Sequence, residues 1–469
     1  MSDFFGLRVA LSSLYAQRRG LEVTGHNVAN VNTEGYSRQR VGLQAAGAST
    51  VPALHAKWEG GGAGVDVTGV DRLRDQFLEA RALVEHSTDA RLRQSQQIMA
   101  RAELVFAEPG PDGLQAELAE FWAGWGDIAN QPTDMAARAQ ILERAKSLAT
   151  SFNRTRDELA NLWESSVEQL KVTVADVNAT SARVAELNAA IERAVESGLS
   201  PNDLADQRDL LALELAEAVG GTVRAGESGV VDVYVGGTAL VRGSRSEAFQ
   251  VAVPSGTTVG NVTEAGQAVQ VQWAKDGYPA VIGGGRAGGL LDGINRVLPD
   301  MRSGIDAVAQ QLVEDVNAQH VDAFDLDGDV GTELLDWTPD KGMEVVIGDP
   351  RRIAAATDAP DGGTPSVDGR NALQMAELAT ATQGADQAYR SFIVGMGVDV
   401  QAVNRQVDIQ ADITNQVDAV RDAESGVNLD EEMANMVAYQ HAYSAASRLL
   451  TAVDEMLETL IRGTGVVGR

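Results

Sequence analysis

Apolar residues mark the two ends of the chain with a helical rhythm. From Leu429 to Leu460, Met436, Tyr439, Tyr443, Ala446, Leu450, Val453, Leu457 and Leu460 recur at alternating steps of three and four. That spacing lays one seam along a helix and calls for a second helix against it. Near the start, Phe4, Leu7, Leu11, Leu14, Leu21 and Val28 fall on the same rhythm, interrupted by Arg18 and Gly25. An isolated helix is marginal in water. Each seam therefore needs a partner, and the residues leave two arrangements open: a coiled coil closed within one molecule, or docking onto a neighbouring molecule.

Between the ends, the pattern predicts helices, a β insert, and helices again. The first helix spans about Asp3 to Asn30 and gives way to NVANVNTEGYSR (Asn27 to Arg38), rich in residues that tolerate a sharp helix exit. An irregular stretch around Gly60, Gly61 and Gly62 leads to a short strand at Val65, Val67 and Val70. Helices are expected at about Arg72 to Phe106, Leu114 to Ile128, Asp134 to Glu196 and Asn202 to Val219. The longest carries Leu159, Trp163, Leu170, Val177, Val184, Leu187 and Ile191 on a heptad-like stripe. Beyond Gly220-Gly221 the period changes to two. Strands are read at Val230 to Val235, Ala239 to Val241 and Val269 to Trp273, with a return at Tyr278 to Ile282 after the Asp276-Gly277 turn. A helix from Leu290 to His320, an acidic loop, a strand at Glu344 to Ile347, a linker from Asp349 to Gly369 and a helix from Ala372 to Ala423 follow. The expected fold class is mainly α with a β insert. A long helical-rod domain is formed by the N- and C-terminal segments, with a small antiparallel β domain between them. The expected units are residues 1–71, 72–219, 220–289, 290–370, 371–424 and 425–469.

Charge and composition narrow the function. The 469 residues carry a net charge of −29, with 67 Asp and Glu against 38 Lys and Arg. Such a surface repels phosphates and anionic lipid, so neither nucleic acid nor membrane is an expected partner. No apolar run approaches the roughly 18 residues of a membrane span, and MSDFFGLRVALSS does not read as a secretory signal. There is no cysteine, which excludes thiolate chemistry, and the five histidines lack helical ligand spacing. Two chemical motifs stand out. Gly283-x-Gly285-x-x-Gly288 lies between a strand and a helix, as a dinucleotide-binding turn does, but no second strand with a terminal acid follows. Asp325, Asp327, Asp329 and Glu333 could offer oxygen ligands to calcium, yet Val330 stands where that loop type has glycine. No cofactor is expected, and phosphate-loop, Ser-His-Asp and metalloprotease patterns are absent.

The terminal motifs point to a family. NVANVNTEGYSR, SGVNLDEE (Ser425 to Glu432) and YQHAY (Tyr439 to Tyr443) resemble the paired end motifs of bacterial flagellar axial proteins. With PNDLADQRDLL (Pro201 to Leu211), GRAGGLL (Gly285 to Leu291) and NAQHVDAFDLDGDVGTELL (Asn317 to Leu335), the resemblance is closest to the flagellar hook-associated protein 1 family, FlgK. Asn27, Asn30, Thr33, Gly35 and Tyr36 match the first end motif. Asn428, Leu429, Glu432, Gln440 and Tyr443 match the second.

The resemblance implies a structural, non-enzymatic protein of the junction between hook and filament, secreted through the flagellar type III export channel. It implies self-association in a ring or helical assembly through both terminal helices, with Leu7, Leu11, Leu14, Met436, Tyr439, Leu450, Val453, Leu457 and Leu460 at the contacts. The implied partners are hook protein, hook-associated protein 3, the filament cap protein, and a cytoplasmic export chaperone at the C-terminal region. Only Gly348 to Gly369 stands where longer members carry a further β domain. The alternatives are another axial component, such as a hook or distal-rod protein, or a calcium- or glycan-binding surface protein.

Overall fold

The computed structural model describes residues 2–47, 64–111, 113–359 and 365–464. The stretch around Gly60 to Gly62 and the side chains of Phe4 and Leu460 lie outside the described residues.

The rod is built on α4 (Met135–Glu196). Its 62 residues contain neither glycine nor proline, so the backbone hydrogen-bond ladder runs for about 93 Å at 1.5 Å per residue. Asp134 caps its start by accepting the Ala136 N–H at 2.8 Å, and Gly198, at φ +70°, follows its end. Leu159, Trp163, Leu170, Val177, Val184 and Ile191 are buried on one face; Leu187 is half-buried. Around α4 pack α2 (Gln76–Phe106), α3 (Leu114–Asn130) and α5 (Asn202–Val219). A continuous helical stretch follows from α6 (Gly285–Asp292), through a π turn at Gly293–Val297, to α7 (Leu298–Val321). Phe121, Trp125, Phe152 and Leu298 lie in this core.

The expected second long helix is broken. Chain 370–425 forms α8 (Arg370–Glu377), a 3-10 turn at Leu378–Thr380, and α9 (Ala385–Ser425). Gly384 begins α9 with extended backbone, and Asp386 accepts the Trp122 indole N–H at 2.5 Å. That tertiary bond fixes where α9 starts. Further along, His86 of α2 sits between Glu217 of α5 and Asp418 of α9, each 3.1 Å from a ring nitrogen. The hydrogen bond to Glu217 and then Asp418 raise its pKa against the effect of burial.

The β insert holds two antiparallel sheets, β3-β4-β5-β6 (Thr222–Ala225, Val231–Val235, Thr238–Arg242, Arg245–Ser246) and β7-β8 (Phe249–Ala252, Gln270–Trp273). The expected return strand at Tyr278 to Ile282 is reduced to a single bridge at Pro279, whose ring carries no N–H to continue a ladder. The strand expected at Glu344 to Ile347 is β10 (Gly342–Val345), paired with β9 (Leu335–Thr338). A hairpin of β1 (Gln39–Ala45) and β2 (Val65–Arg72) leaves the first helix.

Asparagines fasten these short strands to the helices. Asn188 accepts the Val231 N–H and donates to the Val231 carbonyl; Asn178 does the same with Phe249, and Asn153 with Met343. One amide side chain thus satisfies both backbone groups of a strand residue, replacing a neighbouring strand.

One sequence expectation is corrected in this region. Residues 349–359 and 365–369 are not a free linker. Ile353, Ala354, Ala355 and Ala356 are buried, and the buried Arg138 donates to the Pro132 and Ile353 carbonyls. The glycine-rich turn is a point of close backbone approach. Gly285 has φ +65°, and a Cβ there would stand 2.5 Å from the backbone of Ala218 and Val219. The turn exists to bring α6 against α5.

Candidate functional site: the base of the terminal hairpin

The terminal helices α1 (Ser2–Ala29) and α10 (Leu429–Thr464) lie side by side and antiparallel. Three contacts set the register. Gly6 faces Val453, Gly20 lies under the Tyr439 ring, and Asn27 Nδ2 donates to Glu432 Oε2 at 3.1 Å. These positions step by fourteen and then seven residues on both helices, a heptad register. Ala446, on the same stripe of α10, is also buried.

The α1 seam differs from the expected one. The buried face is small: Ala10, Ala16, Gly20, Val23, Thr24 and Asn27. Leu7, Leu14, Leu21 and Val28 are half-buried, and Leu11 is 50% exposed. Small residues allow the backbones to approach, so the aromatic and aliphatic side chains of α10 fill the space instead. On α10, Val453 is buried; Met436, Tyr439, Leu450 and Leu457 are half-buried; Gln440 and Tyr443 are exposed. Leu429, Met433, Val437, Leu449 and Met456 point outward.

Gly20 gives a test of this packing. A Cβ there would meet the Tyr439 ring at 2.7 Å. Gly20→Ala gains about 1 kcal/mol of helix propensity, but overpacking costs about 1–3 kcal/mol. The substitution is expected to loosen the hairpin in the natural chain and to tighten it in a Tyr439→Ala background. Amide hydrogen exchange of α1 reads the sign in each case.

At the base of the hairpin, polar side chains from four elements converge. Asn27, 1% exposed, binds both backbone groups of Gln39, accepting its N–H at 3.0 Å and donating to its carbonyl at 2.9 Å. The Tyr36 hydroxyl donates to Asn27 Oδ1 at 2.8 Å and lies 3.0 Å from His26 Nδ1. Burial, then Asp203, Asp206 and Glu432, push the Tyr36 phenol well above its usual range, so it stays a donor. Glu432, 2% exposed, accepts from Asn27 and from Arg38 Nε at 2.8 Å; Glu431 takes Arg38 Nη1 at 2.7 Å. Burial works against the Arg38 cation, but these two carboxylates raise its pKa above the ordinary value. Asn428 caps α10 by accepting the Asp430 N–H at 2.9 Å. The exit loop between α1 and β1 is closed by the Asn30 side chain on the His26 carbonyl and by Thr33 on Asn30 Oδ1. Gly35, at φ +75°, lies against Leu210.

The sequence reading missed the other half of this knot. Asp203, Asp206 and Asp209 lie three residues apart on α5 and face the exit loop. Asp203 accepts from Gln39, Asp206 from the Ser37 N–H at 3.1 Å, and Asp206 and Asp209 both accept from Arg72 at 2.8 Å. Arg74 also binds Asp209. Burial alone would raise the Asp209 pKa, but Arg208, Arg74 and Arg72 hold it below the ordinary carboxylate range. The i, i+3, i+6 spacing of acids was visible within PNDLADQRDLL. Arg72 and Arg74, more than 130 residues away, were not. Beside the knot is an open polar recess of about 670 Å³, lined by Tyr36, Arg38, Asp422 and Glu431 among others.

The calcium reading is not supported by the geometry. Asp325 is buried and accepts the N–H groups of Asp327 and Asp329, each at 2.9 Å. Asp327 is paired with Arg351, while Asp329 and Glu333 are exposed. Among the described residues no group of three or more His, Asp or Glu converges to hold a metal ion, and no helix is long and apolar enough to cross a membrane.

Comparison with known proteins follows the same division. The flagellar hook-associated protein FlgK helical domain matches residues 99–335. The flagella basal body rod protein family matches residues 7–36, and the C-terminal family of flagellar basal body rod FlgEFG proteins matches residues 422–463. The last two ranges contain Asn27 and Tyr36 on one side and Glu432 on the other. Flagellar hook-associated protein 1 of Bacillus subtilis is 29% identical over 510 residues, covering 100% of both chains. The Salmonella typhimurium protein of the same name is 25% identical, covering 96% of this chain and 98% of its own. The flagellar hook junction protein FlgK from Burkholderia pseudomallei shares the fold, with a TM-score of 0.60 at 16% identity, covering 73% of this chain and 99% of that one. With its rod, its β insert and both terminal helices matched in order, the chain belongs to the flagellar hook-associated protein FlgK family.

Proposed function

We propose that this chain is a structural, non-enzymatic subunit that polymerises through its terminal helices and forms the junction between hook and filament. The observation that carries the reading is the terminal hairpin. It is closed on a small-residue face, and it leaves Leu11, Tyr15, Met433, Val437 and Leu449 exposed on its outside. Exposed apolar side chains along two adjoining helices are a liability for an isolated molecule and suit packing between copies. In this reading the heptad positions of α10, including Leu450 and Leu457, serve the assembled state, and the knot of Asn27, Tyr36, Arg38 and Glu432 holds the hairpin at a set angle to the rod. Residues 1–71 and 425–469 form the assembly unit, residues 72–219 and 371–424 the rod, and residues 220–289 an outward domain. Hook protein and hook-associated protein 3 are its neighbours, with the cap protein beyond. An export chaperone covers α10 before passage through the type III channel.

Electron microscopy of cells carrying a clean deletion of the gene tests this. The expected result is hooks without filaments, with filament subunits lost to the medium. Normal filaments on the deletion strain would overturn the junction role. A hook or distal-rod function is disfavoured by the match of the FlgK helical domain across the rod.

A further inference from the structure

The terminal hairpin is joined to the rod at two places, and their chemistry differs. At the first, the exit loop and the strands after it bind the α5 carboxylates through Gln39, Arg72, Arg74 and the Ser37 N–H. At the second, the end of α9 leads into α10 through Gly426, and the Ser425 carbonyl accepts the Arg38 N–H at 2.9 Å. Among the described residues, Val417 is the last buried side chain of α9, and Asp418 is the last bonded to another helix of the rod. Its partner is His86 of α2, whose ring stands between Asp418 and Glu217 of α5. Nδ1 lies 3.1 Å from Glu217 Oε1, and Nε2 lies 3.1 Å from each Asp418 oxygen.

An ionised carboxylate only accepts, and a neutral imidazole has a single N–H. With a carboxylate at each ring nitrogen, both nitrogens have to donate, which only the imidazolium can do. We propose that His86 is a proton-dependent latch: charged, it ties the end of α9 to α2 and α5, and on losing its proton it releases that end. The bonds to Glu217 and then Asp418 hold the pKa above the ordinary histidine value against the effect of burial. The latch is therefore closed below that ordinary value and opens as pH rises through the raised one. The neighbouring charges ease its opening. Asp418 retains Arg421 of its own helix at 3.5 Å, and Glu217 retains Arg286 of α6 at 3.8 Å. Glu217, Asp418, Arg286 and Arg421 are the charged partners of the ring and its two carboxylates. The other attachment is built on arginines, which keep their charge throughout, so only one of the two responds to pH. For its meaning in assembly the inference rests on the proposed role of the hairpin: proton concentration sets how firmly the assembly unit is held to the rod.

Two readouts on the full-length chain test the latch. With the histidine rings labelled with carbon-13 for NMR, the resonance missing from His86→Gln identifies His86. It is expected to titrate above 6.5 in the natural chain, and at a lower pH in Asp418→Asn than in the natural chain. Hydrogen exchange, corrected for the rise of chemical exchange with pH, reads the release itself. Protection of amides 418–425 is expected to fall at least about tenfold between about pH 6 and about pH 9.5, while that of the exit loop between α1 and β1 stays unchanged. His86→Gln is expected to show the low protection at both pH values. Asp418→Asn should do the same with the histidine in place, so the test survives if either variant fails to fold. Titration of His86 at or below 6.5 would overturn the inference. So would protection of amides 418–425 that does not change with pH in the natural chain, or an equal fall with pH in His86→Gln. All of these are measured on the unassembled chain, so the junction role is judged separately, by the deletion strain.

Discussion

Replacing Glu432 by alanine is expected to uncouple the terminal hairpin from the rod and to abolish filament attachment, while the rod still melts as before. The carboxylate is 2% exposed and accepts from both Asn27 and Arg38. Without it, Asn27 Nδ2 keeps only the Gln39 carbonyl as acceptor, and the half-buried Arg38 keeps only Glu431. Removing one member of a buried charge pair costs about 3–5 kcal/mol, since the other is left without compensation. That cost falls on one junction. Asn27, Arg38 and Glu432 are not members of the hydrophobic core built on α4. Hydrogen exchange on the full-length chain should speed up through α1 and α10 by more than a hundredfold, a factor corresponding to about 2.7 kcal/mol, and stay unchanged in α4. Glu432→Gln keeps the shape and one acceptor, so its effect should be intermediate. Equal exchange in α1 for Glu432→Ala and the natural chain would remove the knot from any account of how the hairpin is held.

His320 gives the second large effect, this time on the rod. It lies at the end of α7 with no exposed surface, Nδ1 at 2.5 Å from the Thr332 carbonyl and Nε2 accepting the Ala354 N–H at 2.9 Å. The first ring nitrogen must donate and the second must accept, which fixes the neutral tautomer. Burial therefore lowers its pKa from 6.5 to about 4, outweighing the pull of Thr332 and Asp325 towards the charged form. Between these values the unfolded chain binds the proton and the folded chain does not, so acid favours unfolding. The stabilisation is complete above pH 6.5 and is lost progressively down to about pH 4, a change of about 3 kcal/mol. Urea unfolding of the natural chain should lose this much more between pH 7 and pH 4 than His320→Gln, which has no proton to gain. Parallel pH dependence in the two proteins would mean that the imidazole is not held neutral.

The knot and the His320 site were legible in the sequence to different degrees. Asn27, Thr33, Gly35, Tyr36, Asn428 and Glu432 stand in motifs that could be read directly, and the structure brings Asn27, Tyr36 and Glu432 into one network. Arg38 ends the first motif and was not singled out, because a surface arginine has no local signature of its future partner. Arg72 and Arg74 lie next to the predicted strand and were unremarkable until α5 supplied Asp206 and Asp209. His320 read as one more helical residue, since its acceptor and donor come from Thr332 and Ala354 further along the chain.

What the sequence determined by itself is what nearest neighbours decide. The spans of α4, α5 and α10 follow from uninterrupted 3.6-residue periodicity and from glycine, proline or a capping side chain at their ends. The mainly helical class and the β insert follow from the change of period at Gly220-Gly221. The tertiary structure decided the rest. Which stripe of α1 would be buried depended on how closely α10 approached, and Gly6 and Gly20 won over Leu7, Leu11 and Leu14 because a glycine contact lets two backbones come together. The strands β3, β6, β7 and β9 have two to four residues each, too few for an alternating pattern. Two asparagines of α4 and the neighbouring strands, not local propensity, hold β4 and β7 in place. Residues 353–356 looked like linker and became core, because burial is a property of what surrounds a segment. Local periodicity is encoded within a few turns of helix, whereas pairing between residues a hundred or more positions apart is selected only when the whole chain has packed.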